Sequence, residues 1–291
     1  MSATNAEGEI PAILLDAASA CAYIESYVLW NNGSGWQVQS LEPLLNDGGY
    51  AGTTVGWGWP YRPDGLMTEG PTARVVADGA TLKLGVVIGQ SGCGSGPHAS
   101  YVLFSLVEGE WTLSWDGRTA FAGLIGQTSV EFPGVGLDRL DVRGTSFGRN
   151  DAMSGIFADH KLAPVRHFEQ VWTRQSDGYA LSQERVVPSA VSTLLEFVYR
   201  LSSGDDPAAA TLVGDVSLVA TAKGLGIIKD SSEPAWWVTC TGGAGSFATG
   251  PCVIETPDGR GFRFAMLENA GIWLISAIDA CTPAYNGGPC N

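Results

Sequence analysis

The chain has 291 residues, enough for about two domains, and it is 45% hydrophobic, 10% aromatic and 16% charged. This composition excludes an intrinsically disordered chain and a charge-rich helical bundle, and 39 Gly with 10 Trp indicate many short strands joined by tight turns. The formal charge of −14 excludes nucleic acid and anionic membrane surfaces as partners, because both would be repelled.

The first predicted element is an amphipathic helix over residues 11–29. Pro11 suits the first helical position, and five residues recur at helical spacing: Leu14, Ala17, Cys21, Ile24 and Val28. Residues 34–70 combine Gly and Pro with many aromatic residues, which indicates an ordered but irregular layer of loops.

Pairs of an acidic residue and Gly between apolar runs predict β-hairpins in residues 72–187. Glycine tolerates positive φ, and Asp bonds to its own backbone, so such pairs favour tight turns. Predicted strands flank three of these turns: 73–77 with 81–88, 101–107 with 111–115, and 171–174 with 179–181. We therefore expect an antiparallel meander of six or seven strands.

The pattern changes at Pro188. Ser189 suits the N-cap of a helix that runs to Ser203, and two shorter helices follow. Four strands are then predicted at residues 235–240, 252–256, 261–267 and 271–278. The sequence thus predicts an α+β protein with two domains: residues 1–187, a helix plus an antiparallel meander, and residues 188–291, three helices plus four strands.

The second domain resembles the nuclear transport factor 2-like superfamily, which includes the SnoaL-like proteins. The resemblance lies in LLEFVYRLSSGDDPAAATLV (194–213) and in the strands GFRFAML and GIWLISAI (261–278), and it covers about a hundred residues. It implies a curved sheet wrapped around helices to form a cone. The pocket of such a cone would be lined by Tyr199, Trp236 or Trp237, Phe264 and Trp273, with Glu255 and Glu268 as acidic candidates.

The six cysteines favour disulfides over metal binding. Cys240 and Cys252 flank a predicted hairpin loop, Cys281 and Cys290 enclose a Pro- and Gly-rich octapeptide, and Cys21 and Cys93 remain as a third pair, although 15 pairings are formally open. Zinc sites prefer close C-x-x-C pairs, which are absent. Disulfides indicate an oxidising compartment.

An exported protein needs a signal, and Met1–Glu9 has neither the basic nor the apolar region of one. We therefore expect that the signal has been removed and that the protein is extracellular, periplasmic or on the cell surface, in the style of a bacterial lipoprotein or periplasmic protein. No apolar run is long enough to span a bilayer.

The candidates for catalysis are Ser146, His160 and His167. Ser146 centres a G-x-S-x-G string (144–148), but the sequence after it predicts no helix to complete a nucleophile elbow. The two histidines lie in a cluster of ionisable residues without the spacing of a metal site. The glycine loop 91–96 lacks the following helix of a phosphate-binding loop. We therefore expect no cofactor and no metal.

The surplus of aromatic residues indicates contact surfaces, at the residues Trp57, Trp59, Tyr61, Trp236, Trp237 and Trp273. Because successive strand residues face opposite ways, Trp236 and Trp237 must place one ring on each face of their sheet. No His occurs in residues 190–291, which disfavours catalysis in that part.

The sequence therefore favours an exported, non-enzymatic protein that binds a protein, peptide or glycan partner or assembles at the cell surface. Two alternatives stay open: an extracellular hydrolase or isomerase, with its site between the domains or in the cone, and a self-assembling filament subunit that associates through edge strands.

Overall fold

The structure is a computed structural model. It describes residues 2–3, 12–16, 26–41, 43–44, 54–55, 73–78, 81–90, 98–120, 129–131, 133, 136–145, 151–158, 166–241 and 250–282. The chain divides into two compact units: residues 1–144 with 169–185, and residues 145–168 with 186–291. The first predicted domain ended at residue 187 and the second began at residue 188. The two units differ from these domains mainly in residues 145–168, which belong to the second unit.

Strands dominate the described residues and form four antiparallel sheets. The strands are β1 (Ser2–Ala3), β2 (Ala12–Asp16), β3 (Ser26–Asn31), β4 (Trp36–Ser40), β5 (Thr54–Val55), β6 (Ala73–Asp78), β7 (Thr81–Gln90), β8 (His98–Val107), β9 (Glu110–Asp116), β10 (Ser129–Glu131), β11 (Arg139–Thr145), β12 (His167–Arg174), β13 (Tyr179–Val186), β14 (Trp237–Cys240), β15 (Cys252–Glu255), β16 (Gly261–Asn269) and β17 (Ile272–Cys281). The helices are α1 (Gly117–Ala120), α2 (Ala190–Ser202), α3 (Asp206–Ala210) and α4 (Ser217–Gly224).

In the first unit, the sheet β1-β2-β3-β4 packs on the sheet that contains β6, β7, β8 and β9. Trp30 of β3 and Trp111 of β9 meet edge to face in this core, with ring centroids 6.2 Å apart. The side-chain amide of Gln39 donates to the Trp111 carbonyl (2.9 Å) and accepts from its N–H (2.7 Å). Gln39 therefore satisfies two backbone groups of β9 as a neighbouring strand would.

The opposite face of the β6–β9 layer packs against the sheet β10-β11-β12-β13 through an aromatic cluster. Tyr101 and Trp115 contact Tyr179, and Trp115 also contacts Trp172. The hydroxyls of Tyr101 and Tyr179 lie 3.0 Å apart, and that of Tyr179 donates to the Leu137 carbonyl (2.7 Å). Burial raises the pKa of Tyr179 to about 12, so this hydrogen-bonded pair stays protonated at neutral pH.

A β-bulge in β9 places Trp111 in the first core and Trp115 in the aromatic cluster on the opposite face. Leu103 pairs with Trp115 and Phe104 with Leu113, so Ser114 is an extra residue in β9. Without it, the alternation of the strand would place Trp111 and Trp115 on the same face. Ser114 Oγ donates to the Leu103 carbonyl (2.9 Å), which anchors the bulge.

In the second unit, α2 packs against the sheet β14-β15-β16-β17. Ser189 caps α2 by accepting from the Ser192 N–H, and Gly204 has a φ of +76° just beyond its end, a conformation that suits glycine. The buried core joins the apolar face of α2 to alternate residues of the strands, at Leu194, Leu195, Phe197, Val198, Leu201, Trp236, Ile254, Phe262, Phe264, Ile275 and Ile278.

The predicted helix over residues 11–29 is wrong. Residues 12–16 and 26–31 form β2 and β3, and Leu14 pairs with Val28 across them. Short apolar runs fit both helical and strand periodicity, and the burial of Val28 and Trp30 at alternate positions fits a strand. The three longer helices of the second unit and its four strands lie where the sequence predicted them, as do the hairpin strands β6–β9.

Candidate functional site

A groove of about 850 Å³ crosses the second unit. Three chain segments line it: a turn before β12, the C-terminal end of α2, and the segment between α4 and β14. The lining residues are Ala152, Ser154, Gly155, Ile156, Tyr199, Ser202, Ser203, Ile228, Lys229, Asp230, Ser231, Glu233 and Ala235. Its volume lies within the range of small-molecule sites.

Lys229 organises one wall of the groove. Its side chain is buried, with 8% of the residue exposed, and Nζ donates to the backbone carbonyls of Asp230 (3.1 Å) and Glu233 (2.9 Å). The backbone N–H of Lys229 donates to Ser202 Oγ (2.9 Å), and this bond connects the wall to the C-terminal end of α2. The ammonium thus holds residues 230–233 folded over itself. It supplies a donor to the Glu233 carbonyl and a second donor to the Asp230 carbonyl, which also accepts from the Glu233 N–H (3.1 Å).

The two carboxylates of this wall are also positioned by neighbours. Asp230 Oδ1 accepts from the N–H (2.8 Å) and Oγ (2.7 Å) of Ser232, and these bonds lower the pKa of the Asp230 carboxyl group. Glu233 Oε2 accepts from the indole N–H of Trp236 (3.1 Å). Both side chains are exposed at the groove while their orientation is fixed by these bonds.

The end of α2 supplies the aromatic part of the groove. The Tyr199 ring packs against the core of the unit, and the guanidinium of Arg200 lies 5.5 Å from the ring centroid. Arg200 itself binds Glu196 and Asp205, so its charge is compensated on the helix surface. Ile156 and Ile228 add apolar surface to the lining.

One serine of the groove lining, Ser154, lies beside a carboxylate, and the lining residues include neither His nor Cys. Ser154 Oγ lies 3.3 Å from Asp151 Oδ1, but that carboxylate also accepts from the Met153 N–H (3.0 Å) and from Arg166 (2.9 Å). A carboxylate held by a cation and two further donors is a poor general base, because these bonds stabilise its charged form.

Tryptophans predicted as contact residues have different environments. Trp236 is fully buried in the core, Trp237 is 59% exposed on the opposite face of the sheet, and Trp273 is partly buried against the core. The prediction of one ring on each face is confirmed. Trp236 as a contact residue is wrong, because it fills the space between α2 and the sheet. Trp57, Trp59 and Tyr61 lie outside the described residues.

The residues that the nuclear transport factor 2-like resemblance places around a pocket are divided between the groove, the core and the outer face of the sheet. Tyr199 lines the groove, but Trp236 and Phe264 belong to the packed core, and Trp237 and Trp273 are absent from the groove lining. Glu268 accepts from the Gly271 N–H (2.9 Å) at the turn between β16 and β17, and neither it nor Glu255 lines the groove. Large apolar side chains fill the space between helices and sheet.

Of the catalytic candidates, the structure describes only His167, at the start of β12. Burial lowers the pKa of His167 to about 4, so its imidazole is neutral at physiological pH. It does not line the groove. Ser146 and His160 lie outside the described residues.

The predicted disulfide between Cys240 and Cys252 is confirmed. These residues pair directly across β14 and β15 and are bonded, with Cα atoms 4.0 Å apart. Cys281 is also disulfide-bonded. Cys21, Cys93 and Cys290 lie outside the described residues, so the other two predicted pairs stay predictions.

Comparisons with known proteins give no relative: no family model, no curated protein and no solved structure matches the chain. Among the described residues, no group of three or more His, Cys, Asp or Glu is arranged to hold a metal ion. Nor does any helix in the described part of the chain have the length and apolar character needed to cross a membrane.

The sequence reasoning missed Lys229, Asp230 and Glu233. The signal was the hexapeptide KDSSEP (229–234), in which Asp and Ser favour a tight turn directly after two isoleucines. A lysine next to such an apolar pair is a candidate for burial of its stem.

Proposed function

We propose that this protein is an exported, non-enzymatic binding protein whose ligand occupies the groove of the second unit. The observation that carries the proposal is the state of the charged groups in the lining. Lys229 binds two carbonyls, Asp230 binds Ser232, and Glu233 binds Trp236. Such bonds hold a rigid binding wall, whereas an acid–base catalyst needs a group free to exchange its proton.

Two further features support this proposal. The bonded Cys240 and Cys252 suit an oxidising compartment outside the cytosol. The exposed indole of Trp237 offers a second contact surface on the outer face of the sheet. A partner protein, peptide or glycan would meet that surface independently of the groove.

We also propose a nuclear transport factor 2-like arrangement for the second unit. Three helices followed by the antiparallel order β14-β15-β16-β17, with α2 packed on the sheet, support it. In this interpretation the groove lies beside the filled centre of a cone, at the end of its longest helix.

The test is a ligand screen of the whole chain by thermal shift and NMR, with diverse soluble metabolites and oligosaccharides. Ala152 lies exposed in the groove lining, so Ala152→Trp fills the groove without disturbing the core. The matched control is Ala220→Trp, at an exposed position of α4 that does not line the groove. Ligands that bind the native chain and the control but not Ala152→Trp would support the proposal. Absence of any ligand, or ligands insensitive to Ala152→Trp, would overturn it.

The hydrolase or isomerase alternative makes a different prediction. A panel of ester, glycoside and phosphate substrates would be turned over by the native chain, and Ser146→Ala or His160→Ala would abolish that turnover. Turnover by the purified protein would refute the absence of catalysis in our proposal.

A specific observation favours a second candidate function, self-assembly through an edge strand. Among the strands that the structure describes, β13 is the last of its sheet, and all of residues 180–186 are exposed. Exposed edges template pairing with another strand. Filaments or oligomers of the concentrated protein in electron microscopy, lost in Leu181→Lys, would support this function, because a charge on an edge strand opposes pairing. A monomer at every concentration would exclude it.

A further inference from the structure

We propose that the groove of the second unit binds a cation, an alkylammonium or guanidinium group carried on an apolar stem. The inference rests on the proposed binding function and names the chemistry of its ligand. It follows from the unused hydrogen-bond acceptors, the arrangement of charge and the apolar walls of the groove.

Both carboxylates in the lining keep one oxygen for a ligand. Asp230 uses Oδ1 for both bonds to Ser232, and Glu233 uses Oε2 for Trp236. Among the described residues, no donor reaches Asp230 Oδ2 or Glu233 Oε1. Because the neighbouring bonds fix both side chains, these oxygens are held in place before a ligand arrives, which reduces the entropy cost of binding.

Among the described residues, no cation near the groove forms a salt bridge with these carboxylates, although the charge of Lys229 adds to the Ser232 hydrogen bonds in lowering the pKa of the Asp230 carboxyl group. Lys229 is the only cationic residue of the lining, and its ammonium is buried against the two carbonyls beneath the turn. Arg200 is bound to Glu196 and Asp205, and Arg166 is bound to Asp151 at 2.9 Å. The lining therefore has two carboxylates and one ammonium, and that ammonium is directed at carbonyl oxygens and lies largely shielded from the groove.

The helix end adds to this charge. Ser202 and Ser203 line the groove at the C-terminus of α2, where the aligned peptide dipoles of a 13-residue helix give a partial negative charge. The net charge of −14 also attracts cations and repels anions over the whole surface. The two carboxylates, the dipole of α2 and the net charge of the protein therefore all disfavour an anionic ligand.

The apolar walls require the ligand to have a stem. Ile156, Ile228 and the Tyr199 ring give the groove surface that a bare inorganic cation could not use. An alkyl chain ending in an ammonium or guanidinium group would cover these side chains and place its N–H donors at the carboxylates. The shared chemistry of a free aliphatic amine and of a lysine or arginine side chain in a peptide fits this description.

The decisive experiment compares three probes of equal length by calorimetry on the whole chain: hexylammonium, hexanol and hexanoate. We expect hexylammonium to bind, and to bind at least about tenfold more tightly than either of the others. Its affinity should fall as salt is added, because part of the attraction is electrostatic. A second arm with Nα-acetyl-lysine methylamide distinguishes the sources: tighter binding than hexylammonium identifies a peptide side chain, and weaker binding identifies a free amine.

Glu233→Gln removes one charge and keeps an oxygen for the indole N–H of Trp236, so the fold should be unaffected. We expect it to weaken hexylammonium binding by about tenfold at unchanged melting temperature. Glu110→Gln, which removes one charge from an exposed position of β9, is the matched control and should leave the affinity unchanged.

Equal binding of hexanol and hexylammonium, or an unchanged affinity in Glu233→Gln, would overturn the cationic ligand. If a neutral compound such as a sugar were then lost in Ala152→Trp, the groove would still be a binding site and only the ligand class would be wrong. If neither the probes nor the screen yielded a groove ligand, the proposed function would fall as well.

Discussion

Lys229→Met tests whether one buried ammonium holds the groove wall in place. Methionine keeps an unbranched apolar stem of similar length, so the buried volume of the side chain is retained while the charge and its donors are lost. The Glu233 carbonyl loses its donor, and the Asp230 carbonyl loses its charged donor while it keeps the bond from the Glu233 N–H. The bond from the backbone N–H of residue 229 to Ser202 Oγ does not involve the substituted side chain, so it can still form.

The expected magnitude follows from these bonds. A hydrogen bond from a charged donor contributes about 1.5–3 kcal/mol to stability. Two such bonds give at most about 6 kcal/mol, from which two offsets must be subtracted: water can reach a turn at the surface, and burying methionine avoids the desolvation of an ammonium. We expect a net loss of about 2–4 kcal/mol in the free energy of opening this segment.

Because the chain has two compact units, the measurement should be local. Hydrogen exchange resolved by peptide reports the opening of residues 225–237 without assuming that both units unfold together. The control is Lys223→Met on α4, where an exposed ion pair with Asp206 should contribute less than about 1 kcal/mol. Equal exchange of residues 225–237 in the two variants would refute the view that the ammonium organises the wall.

Three further outcomes are expected. The pKa of His167 is about 4 in the folded chain and 6.5 in the unfolded chain, so the unfolded chain binds the proton first as the pH falls. Acidification from pH 6.5 to pH 4 should therefore cost up to about 3 kcal/mol of stability. His167→Gln should remove that part of the pH dependence, as measured by urea titrations at successive pH values. Trp236→Ala should cost about 3–5 kcal/mol in calorimetry, whereas Trp237→Ala should cost less than about 0.5 kcal/mol; similar losses would contradict the assigned faces. Replacing Cys240 and Cys252 together by alanine should cost about 3 kcal/mol, and an unchanged melting temperature would contradict a structural role for the bond.

The second unit was the more predictable of the two. Ser189, Gly204 and the helical spacing between them determine α2 locally, because a cap, a stop and an apolar stripe all agree. The hairpin turns of β8–β9 and β16–β17 are equally local: Glu108 and Gly109, like Ala270 and Gly271, have positive φ.

Residues 11–29 show where local patterns fail. Leu14 and Val28 satisfy helical spacing, yet they face each other across two strands. The pairing of β2 with β3 depends on partners distant in the sequence, including the core that Trp30 shares with Trp111. A propensity argument does not include such contacts, and tertiary packing overrode it.

A repeated string marks two bulges that alternation alone does not predict. Residues 109–114 (GEWTLS) and 271–276 (GIWLIS) share a Gly, a Trp two residues later and a Ser five residues later. In both hairpins that serine is the extra residue: Ser114 Oγ donates to the carbonyl of Leu103, and Ser276 Oγ to that of Ala265 (3.2 Å). The bulge reverses which face the following residues occupy, so a strict period of two assigns the second half of each strand to the wrong face.

The groove escaped prediction for a different reason, since its chemistry depends on where one side chain points. In the sequence, Lys229 next to Asp230 resembles a compensated, solvated pair of charges. In the fold the ammonium of Lys229 donates to two backbone carbonyls. The carboxylates of Asp230 and Glu233 therefore face the groove without a salt bridge to this lysine. An apparently neutral polar turn thereby becomes an acceptor-rich wall. The direction of the buried Lys229 side chain thus decides which charge the groove presents to a ligand. Residue counts and spacing do not give that direction.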